Sequence, residues 1–366
     1  MDSQNDAPLK IAVIGPSRFP LREPYAGGLE VVVAKEVPAL RERGHRVSLF
    51  AAAGSEGHDQ RFEFTAMSAV TGFGDSFYPP GCYEADAAEF HRLMDHLAGS
   101  DVDVVLNHSL SHVPLVRATD LDARMITTLH CPTLGPMQDA FDERGEATGG
   151  VVAVSHSVLS SWRVPQGAAV IPNGVETQIW HPRAVAAGPP RAVWFGRIVP
   201  EKGPHLAVDA AMRTGMTLDL AGRVGDDQYM RTVLAPRLRD AGGAVRFHGA
   251  LGRDALVPLV AGASVALVTP CWEEPFGLTA VEALACGTPV VALARGGIRE
   301  ILGGQPGVAL VRPGRDPASA LAAAIPVALP FNRRATARAA AARFSHEARI
   351  DRVEAQLRGL PVGAAR

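Results

Sequence analysis

The sequence predicts an α/β protein made of two doubly wound, parallel-sheet, Rossmann-like domains facing a central cleft. Three observations predict it. Short β-branched runs alternate with amphipathic helical stretches in two successive series, each run ends in Gly or a small or polar residue, and an aperiodic Pro/Gly/Ala-rich stretch separates the series. The first series is KIAVIG (10–15), RVSLFAA (46–52), DVVLNHS (103–109), RMITTLH (124–130) and GVVAVS (150–155), with a helix at 30–43 between the first two. The second is RAVWFG (191–196), TLDLAG (217–222), AVRFHG (244–249), SVALVTP (264–270) and TPVVAL (288–293). Between them, IPNGVETQIWHPRAVAAGPPR (171–191) reads as the interdomain linker. The expected division is 1–175 for the N-terminal domain, 176–190 for the linker, 191–340 for the C-terminal domain and 341–366 for a C-terminal helix packing back on the N-terminal domain. The Ala/Arg-rich run 332–360 reads as helix with a solvated arginine face.

Composition agrees with two cores. The chain has 366 residues and 47% hydrophobic content, and domains hold about 150 residues each. The first eight residues are polar and the first apolar run, IAVI, has four residues, so a soluble, cytoplasmic protein without signal peptide or membrane span is expected. Cys82, Cys131, Cys271 and Cys286 form no CxxC pair, which predicts free, mostly buried thiols and no zinc cluster. The net charge of −2 is unevenly spread: 13 Lys and Arg face 22 Asp and Glu up to Val175, and 23 face 16 after it. A basic second half suits an anionic small molecule; an acidic first half argues against nucleic acid or an anionic membrane.

Open parallel sheets bind ligands at the carboxyl ends of their strands. In the first half that rim holds Gly15, Pro16, the loop PYAGGLE (24–30), Asn107, His108 and His130; in the second it holds Gly196, Arg197, Lys202, Gly222, Arg223 and Gly249. Arg197 and Lys202, five residues apart after a strand, suit a diphosphate, the first as a fork and the second as a point charge. In TPCWEEPFGLTAVEALACG (269–287) a strand ends, Pro275 and Gly277 break the chain, and a helix follows from Leu278. Its first turn, around Phe276 to Thr279, offers unpaired N–H groups to phosphate or sugar oxygens. Glu274 and Glu282 flank that turn, and carboxylates accept hydrogen bonds from vicinal hydroxyls. The group reads as a sugar-nucleotide site. An acid/base pair cleaving a glycoside is the competing reading, and for His130 a satisfied core histidine competes with a role at the ligand.

FGRIVPEKG (195–203) followed by EPFGLTAVEALACGTPVVA (274–292) resembles the retaining nucleotide-sugar glycosyltransferases of the GT-B fold, family four, whose signature is two glutamates separated by seven residues. AGGLE (26–30), RGHRVSLF (43–50), TTLHCP (127–132), AVSHS (153–157), IPNGV (171–175) and GGIRE (296–300) extend the resemblance over most of the chain. It implies that Glu282 holds the ribose hydroxyls and Glu274 those of the transferred sugar, with the amides of Phe276, Gly277 and Leu278. It implies Arg197 and Lys202 on the diphosphate, and Gly28 completing the phosphate site from the opposite domain. The GALGR turn, with Gly249 and Leu251, would seat the base, and His130 would face the reacting sugar. The implied reaction is retaining and metal-independent, from a nucleotide-sugar donor, most simply a UDP-sugar, to a hydroxyl of a small soluble acceptor. Cys271 stands where the family often has Ser, and Trp272 adds a ring near the donor sugar, which leaves the sugar open. RFPLREPYAGG (18–28) should be mobile and acceptor-facing. A sugar-nucleotide epimerase on the same scaffold, or a catalytically silent binding protein, are the alternatives.

Overall fold

The computed structural model describes residues 7–67, 81–183 and 188–359. Residues 184–187 of the expected linker and 360–366 of the expected C-terminal helix lie outside the described residues. The chain forms two compact units: one holds 7–67, 81–172 and 349–359 of the described residues, the other 173–183 and 188–348. Among the described residues no helix is long and apolar enough to cross a membrane.

The N-terminal unit carries a six-stranded parallel sheet of β1 (Lys10–Ile14), β2 (Arg46–Phe50), β3 (Val104–Asn107), β4 (Arg124–Leu129), β5 (Gly150–Ala153) and β6 (Ala169–Val170), in the order β2-β1-β3-β4-β5-β6. Strands buried on both faces read as continuous apolar runs, and β3 is buried at every position. The helix Gly28–Glu42 packs Val33, Val37 and Leu40 against Ile11, Val13 and Leu106 of the sheet. It ends where Gly44, at φ +89°, turns the chain and donates to Arg41 O. Ile350, Val353 and Leu357, from the other end of the sequence, belong to the same core.

The loop expected to be mobile before Gly28 is instead pinned at its middle. Leu21 is buried in the core, its N–H donates to Ser55 Oγ at 2.9 Å, and its carbonyl accepts from Glu56 N at 3.1 Å. An apolar side chain in the core outweighs the loop's polar composition.

The C-terminal unit repeats the design with β7 (Arg191–Phe195), β8 (Thr217–Ala221), β9 (Val245–Phe247), β10 (Val265–Val268), β11 (Val290–Leu293) and β12 (Val308–Val311), ordered β12-β11-β10-β7-β8-β9 and parallel throughout. Trp194, Leu218, Leu220, Val265, Leu267 and Val291 form its core with Ala207 and Ala211 of the helix Pro204–Thr214 and with Leu321 and Ile325. The strand β12 was absent from the sequence reading. It is a half-buried edge of four residues, and the Gly and Pro around it read as loop.

The Ala/Arg-rich run forms two helices, Arg333–Phe344 and His346–Leu357, where one was expected. Ser345 is extended, at φ −63° and ψ 145°. It pairs in parallel with Val175: Val175 N donates to Phe344 O at 2.8 Å, and His346 N donates to Val175 O at 2.9 Å. Ser345 Oγ then accepts from Ala348 N at 3.2 Å and caps the second helix. All four cysteines are free, but only Cys286 is buried and Cys271 is exposed, which corrects the expectation of mostly buried thiols.

Candidate active site

In an open parallel sheet the strand order reverses at one place, and the strand ends beside it open a crevice for ligands. In the C-terminal unit the reversal lies between β7 and β10. The segments leaving those strands run from Gly196 to Gly203 and from Thr269 to Leu278, and bonds tie them together. Thr269 Oγ accepts from Trp194 Nε1 at 2.9 Å and donates to Gly203 O at 2.8 Å. Cys271 N donates to Glu201 O at 2.7 Å.

This lacing brings two of the predicted residues into contact. Lys202 Nζ donates to both oxygens of Glu274, at 2.8 and 2.7 Å. Trp272 Nε1 donates to Glu274 Oε2 at 2.8 Å, and Lys202 Nζ lies 5.3 Å from the centroid of the Trp272 ring. Arg197 is half-buried, with its guanidinium 4.0 Å from Glu201.

Glu274 is held from behind by the turn at Gly296 and Gly297. Gly297 N donates to Glu274 O, and Gly296 N to Glu273 Oε2, both at 2.7 Å. At Gly296, φ is +54° and a Cβ would sit 2.6 Å from Glu274 N, so only glycine lets the two turns lie this close. Glu273 was passed over in the sequence reading; its place beside Glu274 was the available signal. Gly277, in the left-handed region at φ +85°, starts the helix Leu278–Ala285. Phe276 is buried edge-on against Phe344, with ring centroids 6.1 Å apart.

Glu282 is the fifth of the eight residues of that helix, buried among Ala280, Val281, Ala283 and Leu284. Burial pushes its carboxyl up to about 8, because the charged form loses its hydration.

The glycines at the other strand ends stack. Gly196 N donates to Ala221 O at 3.0 Å and Gly222 N to Gly249 O at 2.7 Å. A Cβ on Gly222 would lie 1.7 Å from Gly196 O. Gly249 and Leu251, proposed to seat the base, follow β9 and are half-buried.

In the N-terminal unit, Gly28 is exposed at the start of its helix. His130 follows β4 and is half-buried; its Nε2 lies 2.9 Å from Nδ1 of the buried His108. His108 Nε2 lies 3.0 Å from Glu36 Oε1, and Arg349 Nη2 donates to Glu36 Oε2 at 2.8 Å. Burial opposes the Glu36 charge, yet His108 and Arg349 together hold its carboxyl below the usual carboxylate range. Burial pushes His130 well below the usual histidine range, so it is neutral at pH 7. Neither Glu36 nor Arg349 was singled out in the sequence. Glu36 could have been, as a carboxylate among the valines of VVVAKEVPAL; nothing marks Arg349 among the arginines around it. Asp101 and Asp103 both engage Lys10.

Two family models match these two units. Residues 26–179 match the model described as Glycosyltransferase Family 4, and residues 189–329 the model described as Glycosyl transferases group 1. The chain therefore carries two glycosyltransferase domains, with the fold of GT-B glycosyltransferases. It is 31% identical over 275 residues to the glycogen synthase of Mycobacterium tuberculosis, over 66% of this chain and 63% of that one. The match thus spans about 63% of the length of that relative. It is 29% identical over 411 residues to the D-inositol 3-phosphate glycosyltransferase of Geodermatophilus obscurus, over 94% and 88% of the two chains. Among solved structures, the sucrose-phosphate synthase of Thermosynechococcus elongatus superposes with a TM-score of 0.75 at 20% identity, over 96% and 98% of the chains. Anabaena HepE in complex with UDP and glucose gives 0.72 at 19%, over 96% and 100%. At these identities the structural likeness is one of fold.

Proposed function

We propose that this chain is a retaining glycosyltransferase that moves a hexose-type sugar from a nucleoside diphosphate sugar, a UDP-sugar first among them, to a hydroxyl of a small acceptor without needing a metal ion. The observation that carries this is the Lys202–Glu274 pair at the β7/β10 reversal, with the buried Glu282 in the helix that follows. A lysine held bidentately by a carboxylate is a charge ready to be exchanged. When a diphosphate arrives, Lys202 turns to it, and Glu274 is released to accept hydrogen bonds from the sugar hydroxyls. Glu282 accepts from the ribose hydroxyls.

The acceptor hydroxyl attacks the face from which the nucleotide leaves, through an oxocarbenium-like transition state, and the departing phosphate oxygen takes its proton. Negative charge grows on that phosphate as the bond breaks. Arg197, Lys202 and the amides of Phe276, Gly277 and Leu278 stabilise it there, and such fixed charges and dipoles supply the largest share of rate in reactions of this kind. In the N-terminal unit we assign Gly28 to backbone contact with phosphate and His130 to a hydrogen bond with a hydroxyl of the transferred sugar. The curated relatives include a glycogen synthase and an inositol phosphate glycosyltransferase, which supports a glycosyl acceptor reaction, and the UDP-bound neighbour supports the donor.

Calorimetric titration of UDP, GDP and ADP into the wild type and Glu282→Ala, without added metal, tests the reading. UDP should bind best, and the mutant should lose about 1–3 kcal/mol, the scale of hydrogen bonds to a charged group. Absence of binding by all three nucleotides would overturn it. A neutral or amine-bearing acceptor is expected from the acidic N-terminal half; activity seen only with anionic lipid vesicles would contradict that.

A further inference from the structure

Glu36 sits on the same helix as Val33, Val37 and Leu40, which fill the core of the N-terminal unit, and is itself 1% exposed. A carboxylate in that setting is unfavourable unless paired. Its partners come from two distant parts of the sequence: His108, in the loop after β3, and Arg349, in the helix His346–Leu357. Arg349 is 3% exposed, and its Nη1 also donates to Ile171 O at 3.1 Å and Pro172 O at 3.3 Å. If the only task were to tether this helix, Ile350, Val353 and Leu357 already do so by apolar packing, and the polar chain could stop at Glu36. It continues through His108 to His130.

The direction of that chain follows from donor and acceptor chemistry. An ionised Glu36 only accepts, so His108 Nε2 carries a hydrogen. A protonated His108 would donate from Nδ1 as well and put the His130 hydrogen on Nδ1; with His108 neutral, its Nδ1 is a lone pair, and the nitrogen facing it, His130 Nε2, must donate. His130 Nδ1 is left as an acceptor, and no group among the described residues bonds it.

We infer that Arg349, Glu36 and His108 are positioning residues that fix His130 as its Nε2–H tautomer, so that Nδ1 meets the donor sugar as the acceptor of a hydroxyl hydrogen. The second half rests on the placement of His130 at the sugar proposed above; the first does not. Substitution Glu36→Gln should reverse the chain. Arg349 offers only donors and claims the amide oxygen, which turns the amide NH2 toward His108. His108 Nε2 must then accept, its Nδ1 donate and His130 Nε2 accept, which puts the His130 hydrogen on Nδ1.

The full chain labelled with 15N-histidine reads this without any ligand. Long-range 1H–15N couplings identify the tautomer, and loss of signals in His130→Gln assigns them. The wild type at pH 7 should show the hydrogen of His130 on Nε2, and Glu36→Gln should show it on Nδ1. A wild-type hydrogen on Nδ1, or a folded Glu36→Gln with an unchanged tautomer, overturns the positioning chain. Should Glu36→Gln not fold, the wild-type spectrum still decides. Titration of UDP and UDP-glucose supplies the second arm: Glu36→Gln should lose about tenfold in UDP-glucose affinity, with UDP affinity kept. A reversed tautomer with unchanged UDP-glucose affinity would uphold the chain and overturn the placement of His130 at the sugar.

Discussion

Glu282 is buried and has no salt-bridge partner among the described residues, and this makes its proton an observable. Its carboxyl is raised from 4.5 to about 8 by burial. A group whose pKa is higher in the folded state contributes stability that is fully present below its unfolded value and is lost as pH rises through the folded one. The ligand-free protein should therefore lose stability between about pH 4.5 and 8, by up to a few kcal/mol. In Glu282→Gln that part of the slope should vanish from a series of melting curves; an unchanged slope would refute the assignment. Ribose hydroxyls stabilise the ionised form, so UDP binding near pH 7 should release a proton. Titrations in two buffers of different ionisation enthalpy would give different heats, and equal heats would count against Glu282 as the ribose ligand. Glu282, Glu274 and Lys202 were legible as candidates because they lie in short local motifs at strand ends. Their mutual geometry was not. The Lys202–Glu274 pair joins residues 72 apart, and the Glu36–Arg349 pair residues 313 apart, distances over which a single sequence carries no pattern.

At the scale of elements, the stacked glycines after β7, β8 and β9 make a sharper claim than strand propensity does. Gly222→Ala must move a Cβ away from Gly196 O, 1.7 Å distant. Gly215 is also left-handed, at φ +66°, but meets nothing within 4 Å. Gly215→Ala should cost about 1 kcal/mol, the left-handed penalty alone, and Gly222→Ala at least about 2–3 kcal/mol. Urea unfolding of the two variants compares them; equal midpoints would show that the strand ends yield more easily than described. The ten strands read from the sequence all appear, because buried parallel strands announce themselves as apolar runs with abrupt ends. The two residues of β6 are too few to carry a period, and β12 is half-exposed. The break at Ser345 escaped because it is imposed by pairing with Val175, against the helical preference of the residues around it.

At the scale of the molecule, the N-terminal unit is completed by residues 349–357, which contribute Arg349, Ile350, Val353 and Leu357. Truncation after Ala348 should strip that unit of three core side chains and leave Glu36 without its arginine, while the C-terminal unit keeps its core. Hydrogen exchange followed by mass spectrometry should show β1 and β3 losing protection and β7 and β10 keeping it. Equal protection of both units would mean that the terminal helix is dispensable. A smaller version, Leu357→Ala, removes a fully buried side chain and should destabilise the N-terminal unit by about 2–5 kcal/mol. The same arrangement bears on synthesis. Domains generally fold as they leave the ribosome, the first-made first. Here the core of the unit that emerges first is completed only by a segment made after the entire second unit, so the order of completion runs opposite to the order of translation. Until that moment the nascent chain exposes an apolar seam on its earliest-made half, and the interval lasts as long as the ribosome takes to translate the second unit, roughly ten to forty seconds at ordinary elongation rates.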